Sequence, residues 1–188
     1  MALAELAAAL QQQQEIAVDL EHHSYRSYQG FTCLMQISTR DADYIVDTLR
    51  LRASIPEALG PVFADPSVTK VLHGADMDVL WLQKDFGVFV VNMFDTGQAA
   101  RVLEMPSFGL AYLLSHFCGM DADKSFQLAD WRVRPLPEDM LHYARMDTHC
   151  LLYIYDRQAA RRYPTSTGPV RVLVGGREAP FAPFGRRL

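Results

Sequence analysis

The sequence predicts an α/β domain whose mixed central sheet begins with three antiparallel strands and continues through parallel crossovers, flanked by helices. Three observations carry that expectation: a period-two apolar pattern near the start, alternating strand and helix patterns in the middle, and a long amphipathic helix pattern around residue 140. With 188 residues, 49% hydrophobic and 21% charged, the chain can bury one substantial core and is short for two full domains.

MALAELAAALQQQQ reads as a short Ala/Gln-rich helix; it lacks a basic start and carries Glu5, so it is neither a signal peptide nor an anchor. In EIAVDLE, Ile16, Val18 and Leu20 alternate with Ala17, Asp19 and Glu21, which puts both acids on one face of a strand. FTCLMQIS and DYIVDT follow turn-like segments around Gln29-Gly30 and Arg40 to Asp43, completing an antiparallel meander. A short helix is expected near Pro56 to Phe63, then a buried strand at TKVLH. The next helix should run from about Asp76, read as its N-cap, to Phe86, with Gly87 ending it. The apolar strand VFVVNMF then implies a parallel crossover.

Helices are expected at 96–105 and 109–118. Pro135 and Pro137, with Glu138 and Asp139, announce a long final helix running to about Arg162. On it Leu141, Ala144, Thr148, Leu151, Leu152 and Tyr155 form an inward stripe, and Tyr143, Asp147, Cys150 and Ile154 an adjacent row. This is the element order of an RNase H-like α/β domain over residues 1–162. From Tyr163 the text is rich in Pro, Gly and Arg and is expected to be a mostly disordered tail over 163–188, with an edge strand within VRVLV.

Three Cys, at 33, 118 and 150, have no CxxC spacing, which favours reduced thiols over a disulfide framework or a structural zinc site. No apolar run approaches the roughly 20 residues of a membrane span. Residues 1–156 hold 11 Lys/Arg against 21 Asp/Glu, whereas 157–188 hold seven Arg against Glu178. An acidic body ordinarily argues against nucleic acid, because non-specific affinity comes from cations on phosphates; bound divalent metal reverses that locally.

Asp19, Glu21, Asp78 and Asp147 all stand where the local pattern calls for apolar side chains. Asp78, for example, shares a helix face with Ala75, Leu82 and Phe86. An ionised carboxylate in such a setting costs several kcal/mol unless paired or metal-bound, so four of them point to a shared cation site. Two divalent ions about 3.5–4 Å apart clamp the attacking and leaving oxygens of a phosphodiester displacement, and oxygen-only ligation suits Mg²⁺ or Mn²⁺. In this reading Asp19 bridges the ions, Glu21 and Asp147 hold the one that activates water, and Asp78 supports the other through water. Tyr143, one helical turn before Asp147, orients the attacking water.

VDLEHHSYRSYQGFTCLMQIST, KVLHGADMDVLWLQKDFG, FDTGQAAR, QLADWRVRPLP and YARMDTHCLLYIYD closely resemble, in order and spacing, the exonuclease domain of the RNase D-like 3′ to 5′ exoribonuclease associated with the nuclear RNA exosome. The likeness covers roughly residues 5–157. It implies a DnaQ-like exonuclease fold and the DEDD-Y pattern, which falls here on Asp19 and Glu21, Asp78, and Tyr143 with Asp147. It further implies substrate contacts at His22, Trp81, Lys124 and Gln127, single-stranded RNA 3′ ends as substrate, the nuclear exosome core as partner, and a nuclear, nucleolar location. A His-containing subclass would place its catalytic residue at His142. On a helix, however, Tyr143 lies about 40° from Asp147 and His142 about 140° away, which favours Tyr143.

Met146 stands where many members of that family carry an acid. Neither the helical RNA-binding (HRDC) domain that usually follows nor the partner-binding region that usually precedes is present, so the text reads as a fragment or a minimal form. The leading expectation is an exoribonuclease releasing nucleoside 5′-monophosphates by two-metal-ion hydrolysis. The alternatives are a DNA-directed exonuclease of the same superfamily, which would digest DNA and RNA equally, and an inactive RNA- or protein-binding module, against which the complete set of five motif residues argues.

Overall fold

The computed structural model describes residues 2–25 and 27–161, together with two strands within 171–180. Helix α1, Leu3–Leu10, precedes the meander β1 (Glu15–His23), β2 (Phe31–Ser38) and β3 (Asp43–Val46). Then follow α2 (Thr48–Leu51), α3 (Ile55–Ala64), β4 (Thr69–Leu72), α4 (Asp76–Phe86), β5 (Met93–Asp95), α5 (Thr96–Val102) and α6 (Leu110–Leu113). A π-helical turn at Leu114–Cys118 leads to α7 (Glu138–His149) and α8 (Leu151–Ala159).

The five-stranded sheet has the order β3-β2-β1-β4-β5. β2 pairs antiparallel with β1 and with β3, while β4 lies parallel to both β1 and β5. This is the mixed α/β architecture that the element order predicts.

The alternation in β1 divides the core. Ile16, Val18 and Leu20 pack with Leu6 and Leu10 of α1, Leu59 and Phe63 of α3, and Leu82 and Phe86 of α4. Ala17 takes the other face, against Val71 and the buried side chains of α8. Asp19 and Glu21 continue that second face, where a third cluster holds Leu34, Trp131, Met140 and Tyr143. The acids therefore emerge between two apolar layers.

Several elements depart from the sequence expectation, each for a local reason. The strand expected over VFVVNMF shrinks to Met93–Asp95 because Asn92 takes a left-handed backbone (φ 57°), its amide donating to Pro66 O and Thr69 Oγ1. Asp76 is not the N-cap of α4: that position is Ala75. The N–H groups of Gly74 and Ala75 donate instead to the carboxylate of Asp95 (3.1 and 2.8 Å).

The long final helix breaks at Cys150 (φ −95°, ψ −6°), and the two halves serve different cores. Met140, Tyr143 and Ala144 of α7 fill the third cluster, whereas Leu151, Leu152 and Ile154 of α8 fill the second. The helix expected over 96–105 ends at Val102, and that over 109–118 is α6 followed by the π-helical turn. The sequence reading also lacked α2, whose N-cap Asp47 accepts from Leu49 N and Arg50 N.

Most of the 163–188 tail lies outside the described residues, and so does its expected disorder. Within it β6 (Arg171–Val174) and β7 (Arg177–Pro180) pair antiparallel in a sheet of their own. Among the described residues no helix is long and apolar enough to cross a membrane.

Candidate active site

The carboxyl half of β1, the central strand, faces α7, which packs over β1, β2 and β3. One carboxylate oxygen each from Asp19, Glu21 and Asp147 lie within 4.8 Å of one another, a spacing that fits a single divalent cation. Asp78 enters from the first turn of α4, is buried, and stands outside that trio while raising the charge around Asp19 and Glu21. Asp19 and Glu21 lie on the part of β1 that runs past its pairing with the parallel neighbour β4, so the site sits beyond the carboxyl end of β4. Open α/β sheets commonly bind ligands at such a crevice.

Two devices hold the acids in register. A bulge between Glu21 and His22 ends the regular β1–β2 ladder just after the second acid. Gln36, a polar residue buried in β2 opposite Asp19, donates from Nε2 to Glu21 Oε1 at 3.3 Å. On the helix side, Asp43 accepts from Arg145 Nε (2.6 Å), contacts His149 Nδ1 (2.8 Å) and accepts from Ser38 Oγ (2.7 Å). α7 is thereby pinned to the start of β3 on both sides of Asp147.

All four carboxyls are pushed upward, with burial as the first cause. Glu21 rises to about 9, burial being joined by the charges of Asp19 and Asp147, while Gln36 pulls the other way. Asp147 rises to about 8, from burial and then Asp19. Asp19 and Asp78 rise as well through burial, and Asp19 adds to the effect on Asp78. Burial and the neighbouring acids also push the Tyr143 hydroxyl up, so it remains a neutral phenol. This cluster lacks a positive charge among its own side chains, and a divalent cation would supply it.

Asp19, Glu21, Tyr143 and Asp147 line a cleft of about 400 Å³, with Lys124 and Gln127 also among its walls. The ring of Tyr143 is held by Phe126 (centroids 5.7 Å, 69° between planes) and Trp131 (5.9 Å, 39°). The loop carrying these residues is tied down by Arg134, whose guanidinium donates to both carboxylate oxygens of Asp47 (2.8 and 2.9 Å) and to Cys33 O (2.8 Å). Arg132 pairs locally with Asp130.

The remaining expected contacts fall elsewhere. His22 and Trp81 stack on each other (4.1 Å, 6°) and are absent from the residues lining the cleft. His142 is solvent-exposed on α7. Three residues that the sequence reading did not select belong to the site: Gln36, His73 and Asp123. Gln36 left a signal, an amide in an otherwise apolar strand, and His73 another, directly following the buried run of β4.

The family model described as 3′-5′ exonuclease matches residues 1–158. The chain is 62% identical over 154 residues to Protein RRP6-like 2 of Arabidopsis thaliana, covering 82% of this chain and 18% of that protein. It is 57% identical over 173 residues to Exosome complex component 10 of Homo sapiens, covering 92% and 19% respectively. The crystal structure of the catalytic core of RRP6 from Trypanosoma brucei superposes with a TM-score of 0.81 at 56% identity, covering 83% of this chain and 43% of that one. The chain thus spans about a fifth of the length of these curated relatives.

Proposed function

This chain belongs to the 3′-5′ exonuclease family, and on that premise we propose that it is a metal-dependent 3′ to 5′ exoribonuclease releasing nucleoside 5′-monophosphates from single-stranded RNA ends. The observation that carries the proposal is the convergence of Asp19, Glu21 and Asp147 within 4.8 Å beside the neutral Tyr143 hydroxyl. The donor set is oxygen-only, as Mg²⁺ or Mn²⁺ requires. Two such ions, when bound, lower the pKa of water and neutralise charge on the phosphoryl group.

In this proposal Asp19, Glu21 and Asp147 would hold divalent metal beside Tyr143, with Asp78 supporting it from the first turn of α4. The Tyr143 hydroxyl accepts or donates one hydrogen bond to the attacking water and so fixes its line of approach. Lys124 neutralises a backbone phosphate and Gln127 hydrogen-bonds to sugar or base. His22 and Trp81, stacked on each other outside the cleft lining, would meet the strand as one unit only where it runs past the cleft. Since His22 covers one face of Trp81, base stacking is confined to the other. Relatives named as an exosome component support the exosome core as partner, and a nuclear, nucleolar location is proposed along with it.

The test is a 5′-labelled unstructured RNA incubated with Mg²⁺, Mn²⁺ or EDTA, alongside Asp19→Asn. A descending ladder that needs metal and falls at least about 100-fold in the variant, more than loss of an outer-shell partner costs, supports the proposal. Intact RNA with folded, metal-supplied protein would sink it.

A further inference from the structure

His73 follows the last residue of β4 and lines the same cleft as the acids, yet the roles above do not use it. Its hydrogen bonding favours one ring tautomer. Nδ1 lies 2.9 Å from Thr96 Oγ1, and that hydroxyl donates its one proton to Leu72 O at 3.1 Å. With that proton on Leu72 O, the Thr96 oxygen accepts from His73, the arrangement that satisfies both acceptors and leaves the lone pair on Nε2. Burial holds the imidazole below its ordinary pKa, only partly opposed by the Asp95 carboxylate, which keeps it neutral near pH 7.

Buried neighbours hold the Thr96 side of the ring in place. Thr96 is fully buried, and its own carbonyl accepts from Gln158 Nε2 at 2.9 Å. A Cβ on Gly97 would stand 3.3 Å from His73 Cε1, so a larger residue there would press on the ring. Among the described residues no group donates to Nε2. The cleft thus presents the His73 imidazole as an uncharged acceptor alongside the Tyr143 hydroxyl, the Asp123 carboxylate, the acids expected to be committed to metal, Lys124 and Gln127.

We propose that Nε2 of His73 is a specificity-determining acceptor for a ribose hydroxyl of the strand in the cleft. This rests on the exoribonuclease reading and deepens it. An acceptor needs a donor, and on RNA the donors are sugar hydroxyls and the amino and imino groups of bases. A hydrolase acting on every nucleotide in turn needs a donor that every nucleotide carries, and only the sugar hydroxyls meet that condition. DNA lacks the 2′-hydroxyl, so the same atom distinguishes the two polymers.

The experiment compares an RNA octamer with its counterpart carrying 2′-deoxy sugars at the last three positions, using wild type, His73→Phe and His73→Gln. The ratio of all-ribose to deoxy rates should fall about tenfold in His73→Phe, the worth of one lost hydrogen bond. His73→Gln, whose amide oxygen reaches toward the place of Nε2, should restore most of the ratio. An unchanged ratio in His73→Phe, or a wild type that treats both strands alike, overturns the inference.

The same two strands are titrated by fluorescence anisotropy against Asp19→Asn protein with and without His73→Phe, where no hydrolysis intervenes. If wild type shortens neither strand, the exoribonuclease reading fails. The binding ratio then still decides whether His73 reads a sugar hydroxyl.

Discussion

The hydroxyl of Ser38 on β2 lies 2.7 Å from that of Thr148 on α7. Ser38 donates to the Asp43 carboxylate, so it accepts from Thr148, and a buried chain of two hydroxyls and one carboxylate crosses from helix to sheet. It ties α7 to the sheet at the residue that follows Asp147.

Thr148→Val keeps the shape of the side chain and removes the donor, leaving the Ser38 oxygen short of a partner in a buried place. Loss of about 1 kcal/mol in stability is expected, read as a lowered midpoint in urea at unchanged m-value. Activity should fall by more than that loss of folded population explains, because α7 loses a restraint beside Asp147. An activity drop no larger than the folded fraction would assign the pair to stability alone.

The raised carboxyls set a pH dependence for the metal-free protein. Glu21 titrates near 9 and Asp147 near 8 when folded, against ordinary values of 4.5 and 3.8. Between those limits the folded state binds more protons than the unfolded chain. The contribution of these groups is thus fully present below the ordinary values and is lost as pH rises through 8 and 9. Thermal melts in EDTA should show Tm decreasing from pH 5 to 9, with Mg²⁺ raising Tm far more at the upper end. A metal-induced shift independent of pH would mean that the cluster is not the binding site.

Phe126 meets Tyr143 edge to face, and its neighbours Lys124 and Gln127 line the cleft. Removing the Phe126 ring frees the tilt of the phenol, so Phe126→Ala should lower kcat with little change in KM, while Phe126→Leu retains more. In a Tyr143→Phe background the same truncation should add almost nothing, a non-additivity measured by a double-mutant cycle. Fully additive effects would break the link between the two rings.

Asp95 accepts from four backbone N–H groups: Gly74, Ala75, Gly97 and Gln98, at 2.7 to 3.1 Å. These bonds join the loop before α4 to the start of α5 and hold the Asp95 carboxyl below its usual range despite burial. Asp95→Ala should cost about 2 kcal/mol, and Asp95→Asn less, since an amide oxygen still accepts. Chemical denaturation of the two variants gives the comparison; equal losses would show that charge, and not acceptance, is what matters.

Sequence patterning conveyed the sheet and the acids for the same reason. An acid at a core position is visible wherever periodicity predicts an apolar residue, and Asp19, Asp78 and Asp147 each break such a period. Positions set by long-range pairing were not visible. His73 becomes part of the cleft only through Thr96, 23 residues later, and Asp95 replaces Asp76 at the head of α4 through bonds spanning 20 and 21 residues. The break at Cys150 was hidden because α7 and α8 both keep a helical period while packing on different clusters. The stacked pair of His22 and Trp81 likewise depends on β1 meeting α4, which neither segment reveals alone.

The three converging acids come from β1 and α7, near opposite ends of the domain's order of synthesis. A growing polypeptide that has not yet produced α7 holds Asp19 and Glu21 without Asp147, and the meander without the helix that covers its acidic face. The trio that could hold a cation is therefore assembled only once α7 has been made and has packed against the sheet.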